Sequence, residues 1–171
     1  MKIVPMSVEL VDHMGSDDSI VNAARVSFHK DASQFTKEQN DKLLNYLAKY
    51  NHWSPYAHAF ASFRIKAPIF VARQLVKHQV GLAWNEVSRR YVDEEPEFWF
   101  PKEWRGKPIN AKQGSARFVD APYCSDGIQE FTAEKVTEAC LWLYESSIAN
   151  GVAPEQARMI LPQNTMTDWI W

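Results

Sequence analysis

Residues 72–91 read ARQLVKHQVGLAWNEVSRRY. This stretch of twenty residues holds five cationic or near-cationic side chains, Arg73, Lys77, His78, Arg89 and Arg90, together with three amides and one acid, Glu86, inside apolar flanks. Just upstream, Pro68 is placed to open a helix running through about His78, because proline is favourable at the first helical position. On such a helix Arg73 and Lys77 stand four apart and share a face, where like charges cost roughly 0.2–0.5 kcal/mol. The helix offers no acid of its own. The two cations therefore pair with acids elsewhere or meet an anionic ligand, and from the helix alone the first reading is preferred.

The next residues shift that balance. Gly81 lets the backbone turn, and Asn85, Glu86, Ser88, Arg89 and Arg90 follow within six residues. An arginine fork beside a hydroxyl suits phosphate. An amide beside a carboxylate suits the imide edge of a uracil or flavin ring, which presents both donors and acceptors. The combination points to a nucleotide held at base and phosphate.

Working outward, SVELVDHM (7–14) alternates like a strand. Ser16 caps a helix with Asp17 and Asp18 in its first turn and Ile20, Ala23, Ala24 and Ser27 on its inner face. Thr36 caps a second helix over 36–50 with a stripe of Leu43, Leu44 and Leu47. NHWSPYAH (51–58) reads as a loop, AFASFRIK (59–66) as a strand and SRRYV (88–92) as strand-like. Residues 93–130, rich in Pro, Gly, Asp and aromatics, read as an excursion with little regular structure. Within it, PEFWFPKEW (96–104) suits a subunit contact or a lid. A long helix is expected over 132–151, with Val136, Cys140, Leu143 and Ile148 on its inner side and Gly151 as its stop. A short helix follows between Pro154 and Pro162. The class is α+β: a mixed, mainly antiparallel sheet packed with helices.

The chain has 171 residues, 46% hydrophobic and 23% charged, as a globular domain does. Its net charge of −2 gives no global attraction for nucleic acid, so a single-stranded nucleic-acid binder is disfavoured. Cys124 and Cys140 form no redox or metal motif, and His52, His58 and His78 match no zinc spacing, so no metal site is expected. No run reaches the ~18 apolar residues of a membrane span, and a soluble, cytoplasmic protein is expected.

KHQ (77–79), followed after eight residues by Ser88, resembles the Arg-His-Arg…Ser signature of the flavin-dependent thymidylate synthases, with one residue more than the family's spacing. VELVDHMG (8–15), VNAARVSF (21–28), HWSPYAH (52–58), KAPIFVARQ (66–74), NEVSRRY (85–91) and PEQARMILP (154–162) each resemble a family block, in the family's order. The resemblance is weakest over 93–130.

It implies transfer of a methylene group from methylenetetrahydrofolate to C5 of dUMP by a homotetramer that uses FAD, with NADPH as reductant. It assigns Ser54, Lys77, His78, Gln79 and Glu86 to FAD, and Ser27 to a family serine near the flavin. It assigns dUMP to Gln74, Glu86, Ser88, Arg90 and Arg158, with backbone from Leu75, Val76 and Lys77 and from Val87, Ser88 and Arg89. Ser88 is read as an anchor rather than a nucleophile, since no base stands beside it in sequence. The alternative thymidylate chemistry, attack by a cysteine, finds neither Cys124 nor Cys140 in a polar cluster.

The pattern departs from the family in several places. Lys77 and Gln79 replace the outer arginines, which removes a planar fork and one charge, and implies weaker flavin binding or a shifted loop. Ala57 stands where many relatives carry an acid. Relatives also continue past TMTDWIW (165–171), so the resemblance places the family's catalytic arginine beyond Trp171 and leaves the catalytic residue of this chain unassigned. Residues 1–171 are thus expected to form a single domain lacking that segment, with an exposed apolar DWIW end. The alternative to an active enzyme is a catalytically impaired relative that binds flavin or nucleotide.

Overall fold

Residues 1–91, 94–110 and 112–171 are described by a computed structural model. The chain begins with β1 (Lys2–Ile3), β2 (Ser7–Met14), α1 (Asp17–Arg25) and α2 (Lys37–Lys49). β3 (Phe60–Pro68), α3 (Ile69–Leu75) and β4 (Asn85–Glu86) follow. Next come β5 (Glu97–Phe98), β6 (Trp104–Arg105), β7 (Phe118–Val119), β8 (Tyr123–Ser125) and β9 (Glu130–Thr132). α4 (Ala133–Ala149), α5 (Pro154–Ala157) and β10 (Met166–Ile170) complete it. One sheet has the order β2-β3-β10-β4. The helices and mainly antiparallel sheets are those of an α+β protein. Two compact units are present: Met1–Ser7 with Ile65–Trp169, and Val8–Arg64 with Ile170–Trp171.

In the unit built on Val8–Arg64, both helices start where their caps predict. Ser16 precedes α1, its backbone N–H donating to Ser19 Oγ at 3.0 Å. Thr36 and Gln39 form a reciprocal capping box at α2, with bonds of 3.0 and 3.4 Å. Ile20 and Val21 of α1 and Leu47 of α2 are buried, while Ser27 lies outside the helix in a 3-10 turn, exposed. The turn at Ala32 is pinned from both helices: Asn22 Oδ1 accepts from its N–H, and Asn40 Nδ2 donates to its carbonyl. Residues 54–58, expected as loop, form a 3-10 turn tied to α2 by a 2.9 Å bond from the Tyr56 hydroxyl to the Leu44 carbonyl. Gly15 sits at φ +80°, and a Cβ there would lie 2.5 Å from the His58 carbonyl oxygen. Only glycine meets both demands.

In the other unit, Phe98 is completely buried and forms a core with Leu141, Tyr144, Ala157 and Leu161. α4 starts at its Thr132 cap, but its inner stripe is Thr137, Leu141 and Tyr144. The expected stripe lies largely outward, with Val136 44% and Leu143 48% exposed. Apolar residues surround this helix, so periodicity alone could not choose a side. Thr137 tolerates burial because its hydroxyl donates to the Ala133 carbonyl at 2.7 Å.

Two further expectations near the quoted stretch are corrected. The helix after Pro68 ends at Leu75, and His78 N–H closes a turn onto the Leu75 carbonyl. Lys77 therefore lies beyond the helix, and the anticipated clash with Arg73 does not arise. The extended piece is Asn85–Glu86 rather than 88–92. Residues 89–91 turn instead, Tyr91 N–H reaching the Ser88 carbonyl at 3.0 Å, and Val92 lies outside the described residues.

The excursion also carries more order than its composition predicts. Apart from residues 93 and 111, which lie outside the described residues, it folds into short ribbons: β6 with β7, and β8 with β9. Strands of two or three residues leave no periodic signal among turn-forming residues.

β1 runs parallel to β5, setting Lys2 opposite Glu97. The carboxylate of Glu97 also meets Lys66, and only 16% of its side chain is exposed. Hydrogen bonds from the Lys2 and Lys66 ammonium groups hold the Glu97 carboxyl below its usual range. A depressed carboxyl stabilises the fold above its unfolded pKa of about 4.3 and loses that contribution as pH falls through the folded value. Glu97→Gln should therefore lower the melting temperature at pH 7, and the gap from the parent chain should close in acid. Thermal melts at pH 7 and pH 3 check this; an equal gap at both would show that charge pairing is not the cause.

Candidate functional site

Lys66–Pro68 runs extended and feeds α3, whose last turn presents Arg73 and Gln74. Val76, Lys77, His78 and Gln79 follow on an exposed turn. Gly81, at φ +71°, reverses the chain with open space around it, and Trp84 then leads into β4. The turn at 88–91 comes directly after.

Among the described residues, no hydrogen bond or ion pair holds the side chains of Arg73, Gln74, Lys77, His78 or Arg158. Pairing with acids elsewhere, the reading preferred from helix geometry alone, is therefore not what the fold provides. Arg90 is exposed; among the described residues its guanidinium contacts the hydroxyl and ring of its neighbour Tyr91. Arg89 is committed differently, donating to the Glu94 carbonyl at 2.9 Å. Ser88 is half-buried, its Oγ accepting from Arg90 N–H at 3.4 Å. Leu75 is half-buried, and Val76 and Val87 are exposed.

Glu86 is the best-anchored member. Its Oε1 accepts from the Thr167 hydroxyl at 2.5 Å, and its Oε2 from the Trp84 indole N–H at 3.0 Å. The Trp84 ring stacks on Trp169 with centroids 4.5 Å apart and planes 20° from parallel. Val87 N–H donates to the Asp168 carbonyl at 2.9 Å, fixing this segment against β10. Trp169 is 1% exposed, so the apolar end expected to lie open is partly a core strand. Its indole N–H is buried with no acceptor among the described residues.

The sequence reading missed Thr167 and Trp169. The available signal was the alternation in MTDWI, which marks a strand but does not say what it faces.

Arg158 stands on another element, exposed in the 3-10 turn that packs against α4. Ser27 and Ser54 belong to the Val8–Arg64 unit, each exposed on a 3-10 turn. A cleft of about 630 Å3 opens among Phe70, Trp99, Trp104, Tyr123, Phe131 and Asn164. None of the sequence-predicted site residues lines it, and it holds no charged side chain.

A family model described as "Thymidylate synthase complementing protein" matches residues 9–171. The chain is 40% identical over 166 residues to the flavin-dependent thymidylate synthase of Kosmotoga olearia, covering 96% of this chain and 69% of that protein. It is 36% identical over 175 residues to the flavin-dependent thymidylate synthase of Thermosipho africanus, covering 96% and 70%. Among solved structures, it resembles the UMP/dUMP methylase PolB from Streptomyces cacaoi bound with 5-Br dUMP. There the TM-score is 0.80 at 28% identity, covering 99% of this chain and 74% of that one.

Exposed cations without a partner contribute little to folding. Arg73→Met and Lys77→Met should each leave unfolding free energy within about 0.5 kcal/mol of the parent chain, as for surface substitutions without partners. Urea denaturation checks this. A loss beyond about 1 kcal/mol would show that the side chain serves the fold.

Proposed function

The chain belongs to the flavin-dependent thymidylate synthase family, and on that premise we propose that it methylates dUMP to dTMP, taking the methylene group from methylenetetrahydrofolate. FAD is the proposed cofactor, NADPH its reductant and a homotetramer the working assembly, in the cytoplasm. The observation that carries this reading is the pairing of exposed, uncompensated cations with one carboxylate held at both oxygens.

The donor set fits both ligands in kind. Arg90, Arg158 and the Ser88 hydroxyl suit a nucleotide phosphate, as charge-assisted donors do. Gln74 and Glu86 offer an amide and a carboxylate to the base, with backbone of 75–77 and 87–89 contributing. Lys77, His78 and Gln79 offer donors for the anionic and polar parts of FAD, and Glu86 an acceptor. Ser27 and Ser54 are further proposed flavin contacts, in active sites assembled from several subunits. Lys77, His78, Gln79 and Glu86 would hold FAD, which when bound and reduced would supply the reducing equivalents that convert the transferred methylene into a methyl group. This chain's own part is to bind both ligands, orient the uracil and neutralise phosphate charge. A cysteine nucleophile is not part of the scheme: Cys124 lies on the rim of the apolar cleft, and Cys140 lies beside Val136 and Leu143.

Arg90→Ala should weaken dUMP binding about 10- to 150-fold, the ~1.5–3 kcal/mol of a hydrogen bond to a charged group, while FAD affinity changes much less. Titration calorimetry with each ligand checks this; equal losses for both would make Arg90 structural. Tritium release from C5-labelled dUMP, with methylenetetrahydrofolate, FAD and NADPH, tests turnover. Binding of both ligands without release would identify a relative that binds but does not catalyse.

A further inference from the structure

We propose that Thr167 is a positioning residue for Glu86, acting with Trp84 so that the carboxylate presents its remaining lone pairs to N–H or O–H donors of the ligand. The inference rests on the reading of Glu86 as a ligand contact.

Side chains two apart on an extended chain share a face. Trp84 and Glu86 form one such pair, and Thr167 and Trp169 form another on β10. Glu86 meets Thr167 and Trp84 meets Trp169, so the four make two cross-strand contacts side by side. The backbone bond from Val87 N–H to the Asp168 carbonyl locks the two pairs in register.

The use of the Thr167 hydroxyl is unusual within this protein. Thr137, Thr165 and Thr167 are all buried. Thr137 and Thr165 satisfy their hydroxyls on nearby backbone carbonyls, Ala133 and Pro162, each at 2.7 Å. Thr167 instead reaches a carboxylate 81 residues away in sequence, on an exposed glutamate. Burying a hydroxyl in a strand costs free energy unless it is bonded, and a valine would fill much the same space. The hydroxyl is accounted for by the carboxylate it holds.

An ionised carboxylate accepts only, with about four lone-pair sites. Thr167 and Trp84 each take one, on different oxygens. What remains is acceptor capacity at a fixed orientation, and a ligand meets a side chain already ordered.

The test uses the full chain with dUMP and FAD as probes, and the variants Thr167→Val, Thr167→Ser, Trp84→Phe, Glu86→Ala and the double variant Thr167→Val/Glu86→Ala. Thr167→Val is expected to weaken binding of the ligand that Glu86 contacts about 3- to 10-fold, the scale of one hydrogen bond. Thr167→Ser should restore it, and Trp84→Phe, which keeps the stack but loses the N–H, should repeat the loss. In the Glu86→Ala background, Thr167→Val should cost nothing further. A ligand-free readout is the Trp84 indole N–H resonance, which should move in Glu86→Ala.

Should Thr167→Val fail to fold, Thr167→Ser and Trp84→Phe carry the test. Parent-like binding by Thr167→Val, no rescue by Thr167→Ser, or a loss that persists without Glu86 would each overturn the positioning role. No loss in Glu86→Ala would overturn both the ligand assignment of Glu86 and this inference, while Arg90→Ala still judges the nucleotide reading separately.

Discussion

β10 has to keep its register. A slip of one residue would turn Thr167 and Trp169 to the opposite face, which would strip Glu86 of its hydroxyl donor and Trp84 of its stacking partner. Backbone bonds at both ends of the segment oppose that slip. Ile69 N–H donates to the Thr165 carbonyl, at the start of α3, and Val87 N–H donates to the Asp168 carbonyl, just after β4. The same strand thus anchors the helix that delivers Arg73 and Gln74 and the segment that carries Glu86 and Ser88. Strand pairing of β10 is what gives the polar residues of 72–91 a fixed arrangement.

The charges of the same unit divide into two kinds. Glu97 draws in Lys2 and Lys66 beside the buried Phe98, and all three serve the fold. Arg73, Lys77 and Arg158 have no such partner among the described residues. An exposed charge left uncompensated costs little in water, so folding tolerates these cations without needing them. That separation lets this surface be charged without weakening the core, and it is why charge substitutions at the two places should behave differently.

The cleft lined by Phe70, Trp99 and Tyr123 shows that concavity and chemistry are separate matters here. It is well formed and almost wholly apolar. The polar residues of 72–91 lie apart from it, on the last turn of α3, on β4 and on the exposed turns beside them.

What the sequence determined by itself was local. Ser16 and Thr36 place helix starts because capping needs only residues within one turn. Alternation places β2, and the order of polar residues in 72–91 marks a candidate nucleotide-binding stretch, because ligand chemistry selects residue types directly. The family is legible for the same reason, since its blocks are contiguous. Tertiary structure decided which apolar face of α4 is buried, since Val136 and Leu141 are equally apolar and only the position of Phe98 separates them. It decided that the helix after Pro68 stops at Leu75, leaving Lys77 on a turn. It also decided that Thr167 holds Glu86. That contact joins residues 81 positions apart, and no local propensity encodes a partner at that distance; only the register of β10 brings the hydroxyl and the carboxylate together.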